Sequence, residues 1–95
     1  MRRILITGAT GFLGREAINY FSRKSDYTIF PSTRQDLNLS DSAAVKAYVT
    51  TNKIDIIIHT AIQYGEKISD LIANLTMYEN LAQCVTQDVL MIYYG

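Results

Sequence analysis

The sequence predicts the α/β class, with a doubly wound parallel sheet in the strand order 3-2-1-4-5. Three observations lead there. Short apolar stretches alternate along the chain with stretches whose apolar residues recur at helical spacing. The runs Ile4–Thr7 and Ile54–His59 are continuously apolar or β-branched, the pattern of strands covered on both faces. No repeat, low-complexity tract or linker interrupts the 95 residues, and 48% of them are hydrophobic, enough for the core of one unit.

The elements follow in order. Ile4–Thr7 reads as a buried first strand. Over Phe12 to Lys24, Leu13, Ala17 and Phe21, flanked by Ile18 and Tyr20, mark an amphipathic helix. Tyr27–Pro31 is β-rich and ends at the only proline, and Leu37-Asn38-Leu39 is a brief extended third strand. Ser40 or Asp41 then caps a helix whose stripe is Ala44, Val45, Tyr48 and Val49. Ile54–His59 is the fourth strand. After Gly65 comes the longest helix, with Ile68, Leu71, Ile72, Leu75, Ala82 and Val85 as its expected core-facing stripe. Val89–Tyr94 is a fully apolar fifth strand, and the crossovers between parallel strands are expected to be right-handed. An uncovered apolar edge invites aggregation, so the expectation is the front part of a longer protein.

Composition excludes several function classes. Nine basic and nine acidic side chains balance and are scattered, so nothing points to nucleic acid or a membrane surface. Arg2-Arg3 reads as a solvated strand start. Cys84 is the only cysteine, which rules out an internal disulfide and a Cys/His metal spacing and suits a reduced, cytoplasmic setting. Ile4-Leu5-Ile6 is too short for a signal peptide or a membrane span. The single histidine, His59, ends an apolar run and reads as a packed or locally hydrogen-bonded residue.

Chemistry enters at Gly8, Gly11 and Gly14, between the first strand and the first helix. Glycines in such a turn let the backbone come close to a pyrophosphate. The helix start adds free N–H groups and partial positive charge. Gly14, on the first helical turn, lets the helix pack on the strand. The expected ligand is a dinucleotide, and the sheet is then the front part of a Rossmann-type fold.

The spacing Gly8-x-x-Gly11-x-x-Gly14, with Thr7 and Phe12-Leu13 in "TGATGFLG", resembles the extended short-chain dehydrogenase/reductase family of sugar-nucleotide epimerases, dehydratases and reductases. Three more segments resemble it in order: "DLNLSDSAAV" from Asp36, whose first residue contacts adenine in the family, "IDIIIHTAI" from Ile54, and "NLTMYENL" from Asn74. The short link "STRQDLNLSD" most resembles that of GDP-fucose synthases (GDP-4-keto-6-deoxymannose epimerase/reductases), with dTDP-4-dehydrorhamnose reductases close behind. The resemblance implies cofactor contacts from Gly8, Thr10, Gly11, Phe12, Leu13, Gly14, Arg34, Asn38, Leu39, Ala61 and Ile62. Asn38 stands where most members have Asp, and Ile62 replaces an alanine and crowds the cofactor slightly.

The nicotinamide cofactor is read from the end of the second strand. NAD enzymes usually place an acid there for the ribose 2′-hydroxyl. Ser32-Thr33-Arg34 instead suits the 2′-phosphate of NADP, through a guanidinium with flanking hydroxyls. The resemblance implies the same role for Arg34, although Thr10 stands where a second arginine often helps. Asp36 keeps NAD open.

The family's hydride transfer uses a Ser/Thr, a Tyr and a Lys, the last two spaced Y-x-x-x-K. Tyr20 and Lys24 have that spacing, but they lie down a helix that runs away from the nicotinamide. The Ser, Tyr and Lys are expected beyond Gly95, so no catalytic residue is assigned and the 95-residue chain alone is expected to be inactive. The implied parent is an NADP(H)-dependent oxidoreductase and isomerase that acts on a nucleotide-linked 4-keto sugar, with a homodimer implied by resemblance. The alternative is a non-catalytic NAD(P)-binding regulatory or sensor domain.

Overall fold

The computed structural model describes residues 1–94. Seven elements alternate: β1 (Arg2–Thr7), α1 (Phe12–Ser22), β2 (Tyr27–Pro31), α2 (Ser42–Thr51), β3 (Ile56–His59), α3 (Ile68–Ala82) and β4 (Leu90–Tyr93). The four strands are parallel in the order β2-β1-β3-β4. Register sets Ile4 beside Ile29 on β2 and Ile56 on β3, and Ile56 beside Leu90 on β4.

The period of two along a strand sends neighbouring side chains to opposite faces. Ile4, Ile6, Ile56 and Ile58 go to one face, where Ala17, Ile18 and Phe21 of α1 cover them. Leu5 and Ile57 go to the other and meet Val45 and Val49 of α2 and Leu81 of α3. Both faces are therefore buried, which is why these strands read as unbroken apolar runs. Asp41 is the N-cap of α2, its carboxylate accepting from the Ala44 N–H at 3.1 Å.

Two expectations are corrected. The third strand does not form, so the order 3-2-1-4-5 loses its first member and β2 lies at the sheet edge. Leu37 and Leu39 are buried as strand residues would be, but the backbone around them bonds locally. The Asp36 and Leu37 N–H groups donate to the Thr33 carbonyl at 3.1 and 3.0 Å, and the Ser40 N–H donates to Asn38 Oδ1 at 3.0 Å. Those donors are spent inside the loop and cannot extend a ladder along β2.

The stripe expected to bury α3 is the wrong one. Ile68, Leu71, Ile72, Leu75 and Val85 are exposed. The helix instead packs through Met77, Leu81 and, just past its end, Cys84. That face lies on the other side of the helix from Ile72 and Leu75, roughly 120–180° around at about 100° per residue, so two apolar stripes compete for one sheet.

Candidate functional site

The carboxyl ends of β1, β2 and β3 open into one cavity of about 670 Å³. Ten of the eleven residues expected at a cofactor line it: Gly8, Thr10, Gly11, Phe12, Leu13, Arg34, Asn38, Leu39, Ala61 and Ile62. Gly14 is buried beneath, where a Cβ would run into the Gly8 carbonyl. Its absent side chain serves packing between the helix and the turn.

The β1–α1 turn shows why its glycines are needed. Gly8 has φ +66°, and a Cβ there would lie 2.7 Å from Thr60 Oγ1 and 2.8 Å from the Ala61 nitrogen. Its carbonyl accepts from the Gly11 N–H at 3.0 Å, closing the turn, and the Ala9 N–H donates to the Ser32 carbonyl at 3.1 Å. Gly11 then caps α1 in extended conformation, with no side-chain cap and no acidic residue in the first turn. The amides of that turn and the helix dipole are left to whatever occupies the cavity.

Thr7 ties this turn to the end of β3. Its Oγ1 accepts from the Thr60 and Ala61 N–H groups at 3.1 and 3.2 Å and lies 2.8 Å from His59 Nδ1. Thr60 Oγ1 returns a hydrogen bond to the Thr7 carbonyl at 2.6 Å. With both acceptor positions used, the Thr7 hydroxyl donates to His59 Nδ1, so the imidazole carries its proton on Nε2. His59 is 1% exposed and its ring stacks on Tyr93 at 5.3 Å. Burial pushes its pKa down to about 4, so the ring is neutral at physiological pH.

Polar side chains tie the remaining loops to α3. Asn80 Nδ2 donates to the Leu39 carbonyl at 2.8 Å. Asn74 holds Gln63 at two points, accepting from its N–H at 2.7 Å and donating to its carbonyl at 2.9 Å. Arg34 Nη2 donates to Gln63 Oε1 at 3.0 Å. Asp36 is turned away: its carboxylate accepts from the Thr33 N–H and Oγ1 at 3.2 and 3.1 Å, and it does not line the cavity.

Several lining residues went unread in the sequence, among them Thr60, Gln63, Tyr64, Ala73 and Met77. Thr60, Gln63 and Tyr64 follow a strand directly, and in open α/β sheets that position itself is the signal. Ala73 and Met77, four apart, give a helical signal for one face of α3. Tyr20 and Lys24 do meet, with the Lys24 ammonium 4.8 Å from the Tyr20 ring centroid, but neither lines the cavity. Among the described residues no group of three or more His, Cys, Asp or Glu side chains is placed to hold a metal, and no helix is long and apolar enough to cross a membrane. The arrangement fits an elongated anionic ligand: glycine backbone and helix amides at one part of the cavity, a guanidinium at another.

Comparison with known proteins agrees with this geometry. The chain is 36% identical over 93 residues to the methionine adenosyltransferase 2 subunit beta of Xenopus tropicalis, covering 92% of this chain and 27% of that protein. It is 35% identical over 60 residues to the GDP-L-fucose synthase of Azorhizobium caulinodans, covering 63% of this chain and 19% of that protein. The crystal structure of a GDP-L-fucose synthetase from Naegleria fowleri bound to NADP superposes with a TM-score of 0.74 at 27% identity, covering 87% of this chain and 26% of that one. The chain thus spans between 19% and 30% of the length of the four curated relatives it matches. Residues 1–95 match the family described as the RmlD substrate binding domain, and the chain belongs to that family.

Proposed function

We propose that residues 1–95 are the N-terminal, NADP(H)-binding part of a nucleotide-sugar epimerase/reductase that acts on a 4-keto sugar nucleotide. One observation carries the reading: the Gly8 turn, the uncapped start of α1 and Arg34 share a single cavity at the carboxyl ends of the strands. Gly8 and Gly11 bring backbone against the pyrophosphate, and the first-turn amides of α1 donate to it. Arg34 donates to the 2′-phosphate. Asn38, Leu39, Ala61 and Ile62 wall the rest of the dinucleotide and exclude water. Asp36, bonded to Thr33, is not offered to a ribose hydroxyl, which supports NADP over NAD. The NADP-bound relative supports the same choice.

When bound, the nicotinamide supplies a hydride. The Ser, Tyr and Lys that move the proton belong in this proposal to the longer protein beyond Gly95, as do the contacts to the sugar, a homodimer interface and a cytoplasmic setting. The 95-residue chain alone is expected to oxidise no NADPH with any keto sugar. The test is calorimetric titration with NADPH and NADH, with Arg34→Ala alongside. Tighter NADPH binding, lost in the variant, is the expected result. A variant that keeps the preference overturns the role of Arg34.

A second reading has its own observation. The 36% identity to a protein described as a subunit of methionine adenosyltransferase favours a dinucleotide-binding module that regulates an assembly without chemistry of its own. Turnover of a 4-keto sugar nucleotide by the longer protein separates the two.

A further inference from the structure

Gln63 is bound at both ends. Its backbone N–H and carbonyl are clasped by the Asn74 carboxamide at 2.7 and 2.9 Å, so the residue cannot drift along the cavity wall. Its side chain then bridges two charges. Oε1 accepts from Arg34 Nη2 at 3.0 Å, and Nε2 donates to Asp70 Oδ1 at 3.3 Å. Asp70 is anchored in turn, its Oδ2 accepting from the Lys67 N–H at 3.1 Å. The partners fix the amide orientation, because a guanidinium only donates and a carboxylate only accepts. A flipped amide would lose both bonds.

We propose that Gln63 is a positioning residue that sets the preference for NADP over NAD by holding the Arg34 guanidinium at the cavity. This rests on the cofactor reading above. A free arginine side chain samples many rotamers, and fixing one of its nitrogens lowers the ordering cost of gripping a phosphate. Of five N–H donors, Gln63 takes one and leaves the others for the ligand. The carboxamide also stands between Arg34 and the Asp70 carboxylate, bonding to each without a charge of its own.

The test is a set of dissociation constants for NADPH and NADH, measured on the folded chain and on Gln63→Ala, Gln63→Glu, Arg34→Ala and the double variant Arg34→Ala/Gln63→Ala. Circular dichroism checks that each variant is folded. In Gln63→Ala, NADPH binding is expected to weaken about threefold to tenfold, the scale of one lost hydrogen bond, with NADH binding unchanged. Gln63→Glu, which keeps the shape but sets a carboxylate on the guanidinium, is expected to weaken NADPH binding further and to leave NADH preferred. The double variant is expected to match Arg34→Ala, because Gln63 acts through that residue. Equal losses for both nucleotides in Gln63→Ala would mean a merely structural role and overturn the proposal. An unchanged ratio, or tighter NADPH binding, overturns it too, while a loss of preference in Arg34→Ala leaves the cofactor reading standing. If Arg34→Ala keeps the preference, or neither nucleotide binds the unaltered chain, the cofactor reading falls and this proposal with it.

Discussion

Thr7 donates its hydroxyl proton to Nδ1 of His59 across 2.8 Å, because the amides of Thr60 and Ala61 occupy the other side of the same oxygen. One side chain thereby joins the first strand, the third strand and the loop that lines the cavity. Removing the oxygen strands two backbone donors and one ring nitrogen. Thr7→Val is therefore expected to destabilise the fold by about 2–4 kcal/mol, with the penalty of unsatisfied buried groups dominating. Thr7→Ser, which keeps the oxygen, should cost about 1 kcal/mol or less. Urea unfolding of the two variants measures the difference, and equal losses would refute the hydrogen-bond account.

Acid stability tests the buried ring. His59 has a folded pKa of about 4 against 6.5 unfolded, so between these values the unfolded chain binds a proton that the folded chain refuses. The contribution is fully present above pH 6.5 and is lost as the pH falls toward 4. Moving from pH 7.5 to 5 should remove about 2 kcal/mol, at 1.36 kcal/mol per unit below the unfolded value. His59→Asn should flatten that slope. A slope of the same size in the variant would assign the effect to other groups.

The glycines of the turn should differ in tolerance. Gly8→Ala places a methyl group 2.7–2.9 Å from Thr60 Oγ1 and the Ala61 backbone at a positive φ, and is expected to cost about 2–4 kcal/mol. At Gly11 the nearest atom to a new Cβ is the Gly8 carbonyl oxygen at 3.4 Å, ordinary contact distance. Gly11→Ala should therefore change stability by about 1 kcal/mol or less. Thermal unfolding of both variants checks the contrast.

On α3, two leucines of the same helix should respond in opposite ways. Leu81 is fully buried, and Leu81→Ala is expected to cost about 2–5 kcal/mol. Leu75 is 58% exposed, so Leu75→Lys should stay within about 0.5 kcal/mol. A large loss at Leu75 would restore the stripe that the sequence suggested.

Where one residue type answers one physical need, the sequence was readable. Ile4-Leu5-Ile6 buries every side chain because helices cover both faces of the sheet, and no amphipathic alternation remains to confuse the reading. Gly8 has to be glycine, and Asp41 offers an oxygen at a helix start. Reading failed where two arrangements satisfy the same pattern. Leu37-Asn38-Leu39 alternates like a strand and buries its leucines like one, yet Thr33 and Asn38 take up the amides that a ladder would need. On α3, two apolar stripes lie on different sides of one helix, and only the sheet decides between them. The glycine turn and Arg34 stand out by residue type, whereas Gln63 does not: its one signal is its place just after a strand end, which marks the stretch without singling out a residue.

Asn74 and Asn80 hang two stretches of the cavity wall, one through Gln63 and one through Leu39, from the same helix. Six residues apart, the two hooks stand roughly 9 Å from each other along the axis. A rigid rod of hydrogen-bonded turns thus acts as a gauge bar for the groove. The spacing of those walls is inherited from helical pitch rather than negotiated between flexible loops, and α3 would have to unwind before it could change.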